Sequence, residues 1–233
     1  MNLSRIVSLK GEFEAEGLPR ETVAAEAVFA ARHGLPYLVK IGGCEAKSDV
    51  RFLMQIGVRS VVAPMIESAF AMRKYMDMVP QDAFDHVGVT IETIDAVRNI
   101  EAILDSGTKL GEVTVGRTDL TASYGGDHVD CDETIDMVKA VGKAAGARGL
   151  KLTMGGSVNA NTIALLQRDG ELRGVVACVE TRKCVMPVER FLEEGALADA
   201  FAIEEALLGL QLAFHGGIAD SARVRVDALR TRL

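Results

Sequence analysis

One unit recurs along this chain and limits the folds open to it. A short apolar run ends in acidic or glycine-rich residues and gives way to a helix-like segment. The pattern is plainest between Val87 and Gly125, VGVTIETIDAVRNIEAILDSGTKLGEVTVGRTDLTASYG. There the runs Val87–Ile91 and Glu112–Val115 each lead into an acid, Glu92 and Asp119, 27 positions apart. That spacing is about one strand–helix unit of a parallel sheet, which brings both acids to the C-terminal edge of neighbouring strands. Two hard oxygen ligands so placed can hold a Mg²⁺-type cation whose other positions go to water and substrate. Each acid also precedes a helical segment, where a carboxylate is favourable for the helix alone.

The pattern extends along the whole chain. It predicts strands at Ile6–Glu12, Tyr37–Ile41, Ser60–Met65, Val87–Ile91, Glu112–Val115, Lys151–Met154 and Gly174–Val179. Most are continuous apolar runs, as expected of strands covered by helices. Helices are predicted at Arg20–His33, Glu45–Gln55, Ser68–Met78, Ile94–Leu104, Asp132–Ala147, Asn161–Arg168 and Pro187–Glu194, with a long one over Leu197–His215. Gly34, Gly57, Gly149 and Gly170 follow helix ends as C-cap glycines do. Serial βα units allow an open doubly wound sheet or a closed barrel. No glycine-rich nucleotide loop follows any strand, and polar residues end nearly every one, as at the mouth of a TIM-type (β/α) barrel. A barrel is the expected fold. Only seven strands are evident, so the eighth is expected to be short, irregular or absent.

With 233 residues, 48% hydrophobic and 25% charged, the chain is expected to form one domain over 1–233, with 197–233 a C-terminal helical extension. A formal charge of −7 argues against a nucleic-acid surface. No apolar run reaches the roughly 20 residues of a membrane span, and the first residues lack a signal-peptide core. Cys44, Cys131, Cys178 and Cys184 are scattered without CxxC spacing, which fits reduced thiols in a cytoplasmic protein.

Candidate site residues fall at the strand ends. Lys40 closes the run YLVK and could hold a carboxylate or phosphate, form a Schiff base, or snorkel from the surface. Gly42 and Gly43 offer backbone N–H groups to an anion. Gly116 would let a ligand approach the backbone beside Arg117. Gly155, Gly156 and Ser157 form either an anion-binding turn before a helix or a plain loop. Glu67 is a catalytic candidate or a helix-capping acid. Glu12 and Glu14 flank Phe13 and so share one strand face, as catalytic groups or exposed acids. Arg182 and Lys183 add charge to the rim or form a solvated basic pair. Of the four histidines only His128 lies near the proposed mouth.

The segments VVAPMIES, VTIETIDAVRNIEAIL and EVTVGRTDLTASYG, over about Ser60–Gly125, resemble the HpcH/HpaI aldolase and citrate lyase β-subunit family, within the phosphoenolpyruvate/pyruvate barrel superfamily. The resemblance implies that Glu92 and Asp119 bind Mg²⁺ or Mn²⁺, which holds an oxo acid or its enolate. It also implies a substrate-carboxylate site at an early strand end, where Lys40 replaces the family's arginine, and at backbone amides near Gly116 and Arg117. Lysine lacks arginine's bidentate fork. Aldolases of the family carry Asp-x-Glu-His with an acid/base histidine; here the aligned segment is Glu-Phe-Glu-Ala-Glu. Either the base is Glu12, Glu14 or Glu67, or the same enolate takes part in a different reaction.

The expected function is a divalent-metal-dependent carbon–carbon lyase (aldolase) or condensing enzyme acting on an oxo acid or related carboxylate through a metal-stabilised enolate. The alternatives are a Schiff-base lyase using Lys40 and a non-catalytic barrel serving as an assembly subunit. Phe201, Leu207, Leu208, Leu210, Leu212 and Phe214 crowd the last predicted helix, so it packs on its own barrel or on another subunit. Helix exchange between subunits is common in the resembling family, and a homo-oligomer is expected.

Overall fold

In the computed structural model, which describes residues 2–80 and 82–230, the chain closes an eight-stranded barrel in the order β1 to β8. The first half runs β1 (Ser8–Glu12), α1 (Arg20–Arg32), β2 (Tyr37–Lys40), α2 (Lys47–Gln55), β3 (Ser60–Ala63), α3 (Ala69–Met78) and β4 (His86–Ile91). Two short helices, α4 (Ile94–Arg98) and α5 (Ile100–Asp105), precede β5 (Glu112–Gly116), α6 (Arg117–Tyr124) and α7 (Asp132–Gly146). Then come β6 (Lys151–Gly155), α8 (Ala160–Arg168), α9 (Gly170–Val175), β7 (Cys178–Glu180), β8 (Cys184–Pro187), α10 (Val188–Phe191) and α11 (Ala196–Arg230).

The eighth strand exists, but it breaks the βα rule. It runs antiparallel to both β7 and β1. Only Thr181, Arg182 and Lys183 separate β7 from β8. A connection that short makes a hairpin, whereas a parallel pairing requires a crossover of a dozen or more residues.

Two other expectations are corrected. The strand predicted at Gly174–Val179 begins only at Cys178, because Asp169 accepts the Leu172 N–H at 2.9 Å and starts α9 instead. Gly170 therefore opens a helix rather than closing one. The helix predicted over Ile94–Leu104 divides at Asn99, whose side chain donates to the Glu67 carbonyl at 3.1 Å.

Alternation along the strands sorts the side chains. Val39, Val61, Val89, Val113 and Leu152 face outward into the apolar layer beneath the helices, all almost fully buried. The inward positions differ: Leu38, Val62 and Val185 form a small separate cluster, while Lys10, Glu12, Lys40, Thr90 and Glu180 line the cavity at the opposite end. Charge thus collects at the C-terminal mouth, where TIM-type barrels place their chemistry.

The solvated pair expected at Arg182 and Lys183 is half wrong. Lys183 is fully buried, 2.8 Å from Glu16 and 3.0 Å from Glu26. Tyr37 also donates to Glu26, at 2.7 Å, and so does Gln211 from α11, at 2.9 Å. The cluster ties the β1–α1 loop, α1, β2, the β7–β8 turn and α11 together.

Helix α11 is longer than predicted. Its first half docks on the barrel through Ala196, Ala200, Ile203 and Leu207, while Phe201, Leu208, Leu210 and Leu212 are exposed. The Phe214 side chain lies outside the described residues. Among the described residues no helix is long and apolar enough to cross a membrane.

Replacing Lys183 by Met leaves two buried carboxylates without their cation and is expected to destabilise the fold by about 3–5 kcal/mol. Urea denaturation checks this; a loss below about 1 kcal/mol would show that water reaches the cluster.

Candidate active site

A cavity of about 410 Å³ opens at the C-terminal mouth of the barrel. Its centre is Lys40, only 6% exposed. The Lys40 ammonium lies 2.9 Å from Glu14, 3.2 Å from Glu92 and 3.5 Å from Glu12. Burial pulls its pKa down, but the three carboxylates outweigh that and raise it well above the ordinary lysine value. The side chain is therefore not a snorkelling surface lysine. Nor is it poised for a Schiff base, which needs a free amine.

Glu92 stands at the end of β4, 3% exposed. One oxygen meets Lys40, and the other accepts the Met65 N–H at 3.2 Å. Met65 is held at φ 50°, a left-handed conformation uncommon outside glycine. Burial raises the Glu92 pKa, against Lys40 and Met65, and the nearby Asp119 charge adds to the rise. Gly116 makes this placement possible. A Cβ there would come within 2.8 Å of Glu92 Cγ and Oε1, so the glycine makes room for the carboxylate side chain.

Asp119 lies in the first turn of α6, exposed on the same cavity. Among the described residues its carboxylate makes no hydrogen bond or ion pair. Glu12 is 3.4 Å from Lys10 as well as near Lys40. Burial pushes its carboxyl up, but the two ammonium groups prevail and hold it below the usual carboxylate range.

Other candidates sit differently. Gly156 and Ser157 line the cavity, and Ser157 Oγ is 3.1 Å from Thr118 Oγ1. Gly155 faces Glu180 instead. Arg117 lines no part of the cavity with its side chain, which is fully buried and bound to Asp130 and to the Gly155 and Gly156 carbonyls. Glu67 is exposed and takes a 2.8 Å hydrogen bond from Thr93, outside the cavity lining. The Gly42 N–H is already taken by Asp49 at 3.0 Å, which removes it as an anion donor. No histidine is among the described residues lining the cavity, His128 included.

Sequence reasoning missed Lys10, which pairs at 2.7 Å on the cavity wall with Glu180, a residue the strand-end pattern does mark. Lys10 lies two positions before Glu12, so strand alternation was a usable signal. Thr90, buried with a hydroxyl that has no partner, was missed too. Phe201 and Glu204 enter from α11, and no local pattern marks them.

A sequence model of the HpcH/HpaI aldolase/citrate lyase family matches residues 38–171, more than half of the chain. The chain belongs to this family. It is thus an enzyme of the aldolase/citrate lyase type, and the family is generally dependent on a divalent metal. No curated protein matches the sequence. The fold is similar to that of the HpcH/HpaI aldolase of Desulfitobacterium hafniense DCB-2 (TM-score 0.61, 16% identity, covering 85% of this chain and 82% of that one). It is also similar to the citrate synthase SbnG (0.62, 16%, 88% and 84%). A third likeness is to an HpcH/HpaI aldolase/citrate lyase family protein of Burkholderia cenocepacia J2315 (0.61, 16%, 84% and 84%). At such identity these likenesses establish the shared fold.

Two outcomes follow for this family member. The added methyl of Gly116→Ala must displace Glu92, which is expected to lower kcat/KM at least about tenfold for about 1–3 kcal/mol of stability; unchanged kinetics would show that Glu92 need not stay in place. Glu12, depressed below its ordinary 4.5, contributes stability above that value and loses it as pH falls through the lower folded value. Glu12→Gln should then be less stable than the parent at about pH 7, with the gap closing as pH falls through the lowered folded value. A gap that does not change with pH would contradict the ion-pair account.

Proposed function

We propose that the chain makes or breaks a carbon–carbon bond next to an oxo acid, with Mg²⁺ or Mn²⁺ held by Glu92 and Asp119. The observation that carries this reading is the unpaired Asp119 carboxylate on the cavity that Glu92 enters from β4. The charge of the lining fits a cation. Five carboxylates (Glu12, Glu92, Asp119, Glu180, Glu204) face three cations (Lys10, Lys40, Arg182). All are hard oxygen donors, the type that suits Mg²⁺ and Mn²⁺. Among the described residues no group of three or more His, Cys, Asp or Glu converges as a closed metal cage. Two protein ligands leave the remaining positions to water and substrate, the usual arrangement for Mg²⁺. When bound, such an ion supplies Lewis-acid polarisation of the substrate's oxygens.

The chain's own groups do the rest. Lys40 is protonated and central, so it holds the substrate carboxylate by exchanging one of its three carboxylate partners. The paired hydroxyls of Thr118 and Ser157 offer hydrogen bonds from one side of the cavity. Proton movement falls to Glu12 and Glu14, the two carboxylates beside Lys40 that come from β1 and the loop after it. In the cleavage direction one of them takes the hydroxyl proton as the carbon–carbon bond breaks; in condensation it returns that proton. The pair stands where the family's histidine is missing. Glu67 is exposed, bonded to Thr93 and outside the cavity lining, and is given no part in this task.

The exposed Leu208, Leu210 and Leu212 on α11 support assembly of copies of the chain through this helix. Sedimentation should give a species larger than the 24.9 kDa chain, and a monomer at micromolar concentration would contradict it.

Asp119→Ala and Glu92→Gln are each expected to lower metal-dependent cleavage or pyruvate–aldehyde condensation by at least about 100-fold, with circular dichroism unchanged. EDTA should abolish turnover and Mn²⁺ restore it. Parental rates in either variant would refute the assignment.

A further inference from the structure

The sequence offered Arg117 as a substrate-binding residue, yet its guanidinium is fully buried and spends its donors inside the protein. Nε donates to the Gly155 carbonyl at 3.1 Å. Nη2 donates to the Gly156 carbonyl at 2.9 Å and to Thr162 Oγ1 at 3.3 Å, and Nη1 pairs with Asp130. One side chain at the start of α6 therefore grips the end of β6, the first turn of α8 and the loop before α7.

What it grips is strained. Gly156 sits at φ 86°, and a Cβ there would lie 2.6 Å from the backbone nitrogens of both Arg117 and Thr118. Ser157 follows at φ 50°. A side-chain-bearing residue in that region is disfavoured and persists only where its surroundings over-determine it. Here the two carbonyls just before Ser157 are both bound to Arg117. The result is that Ser157 Oγ stands 3.1 Å from Thr118 Oγ1, and both residues line the cavity beside Asp119.

Burying a guanidinium is also an expensive way to fill space. Replacing a buried ion pair with well-packed apolar groups of similar volume is often neutral or stabilising. A cation with a full set of acceptors fixes geometry that an apolar side chain would leave loose.

We infer that Arg117 is a positioning residue: through the Gly155 and Gly156 carbonyls it locks the strained Ser157 turn over α6, so that the Ser157 and Thr118 hydroxyls meet the substrate as a fixed pair. The inference rests on the proposed function for its substrate, but not for its geometry.

The test removes both charges together, as Arg117→Met with Asp130→Asn, so that no orphan ion is left. Isothermal calorimetry with pyruvate and Mg²⁺, turnover, and amide hydrogen exchange are compared with the parent. Expected are faster exchange confined to residues 116–118 and 155–158, pyruvate binding at least about tenfold weaker, and kcat/KM down about 100-fold. Adding Ser157→Ala to this background should cost little more, because the hydroxyl is already out of place; fully additive losses would overturn the inference. If the double variant fails to fold, Asp130→Asn alone, which removes the carboxylate charge and keeps Arg117's three other acceptors, should still give several-fold weaker binding and faster exchange at 155–158. Unchanged exchange at 155–158 overturns the inference. No heat from the parent with pyruvate and Mg²⁺ instead sinks the functional reading, and exchange then decides Arg117 alone.

Discussion

The whole mouth of the barrel depends on one ammonium group shared among carboxylates. Lys40 gathers Glu12, Glu14 and Glu92 from β1, the loop after it and β4. Without it three acids would crowd a largely buried space, and their mutual repulsion would protonate some of them or push the strand ends apart. With it, the three carboxylates share one cation at 2.9–3.5 Å. Yet one lysine cannot neutralise three carboxylates and the adjacent Asp119 together. Even with Lys10 and Arg182 on the same lining, carboxylates outnumber cations there, and that residual negative charge suits the cation proposed above.

The same device recurs away from the mouth. Lys183 joins Glu16 and Glu26 beneath the β7–β8 turn, and Arg117 joins Asp130 and three further acceptors beside β6. In each case a buried cation draws together segments distant in sequence. The apolar layer between strands and helices closes the barrel, while these polar knots set where its rim loops come to rest. The antiparallel β8 contributes directly: its tight turn delivers Lys183 inward and leaves Arg182 on the cavity.

Much of this was legible in the amino-acid sequence. Seven strands and most helices follow from apolar runs and capping residues, because those signals are local. Glu92, Asp119, Lys40 and Glu12 were legible as a group because strand ends of a barrel converge on one edge. The antiparallel β8 was not, since Cys184–Pro187 is four residues long and its preceding turn reads as a polar strand end. Gly170–Val175 was misread because its apolar end, GVVACV with the residues that follow, resembles a strand until Asp169 is seen to cap a helix. The direction of a long side chain was beyond reach: Arg117 next to Gly116 looks like a ligand-binding group, and only the carbonyls of Gly155 and Gly156, 38 and 39 positions away, turn it inward. Glu67 likewise had the right neighbourhood in sequence, but its carboxylate is taken by Thr93 outside the cavity lining.

The claim at the centre is that Glu92 and Asp119 share one divalent ion. A crystal grown with Mn²⁺ and read at the manganese edge tests it most directly. The account predicts a single anomalous peak at the C-terminal mouth, bonded to one oxygen of each carboxylate, with Lys40 turned from Glu92 toward the space where substrate enters. Manganese bound elsewhere, or a mouth in which Glu92 keeps Lys40 and Asp119 faces solvent at saturating metal, would contradict it.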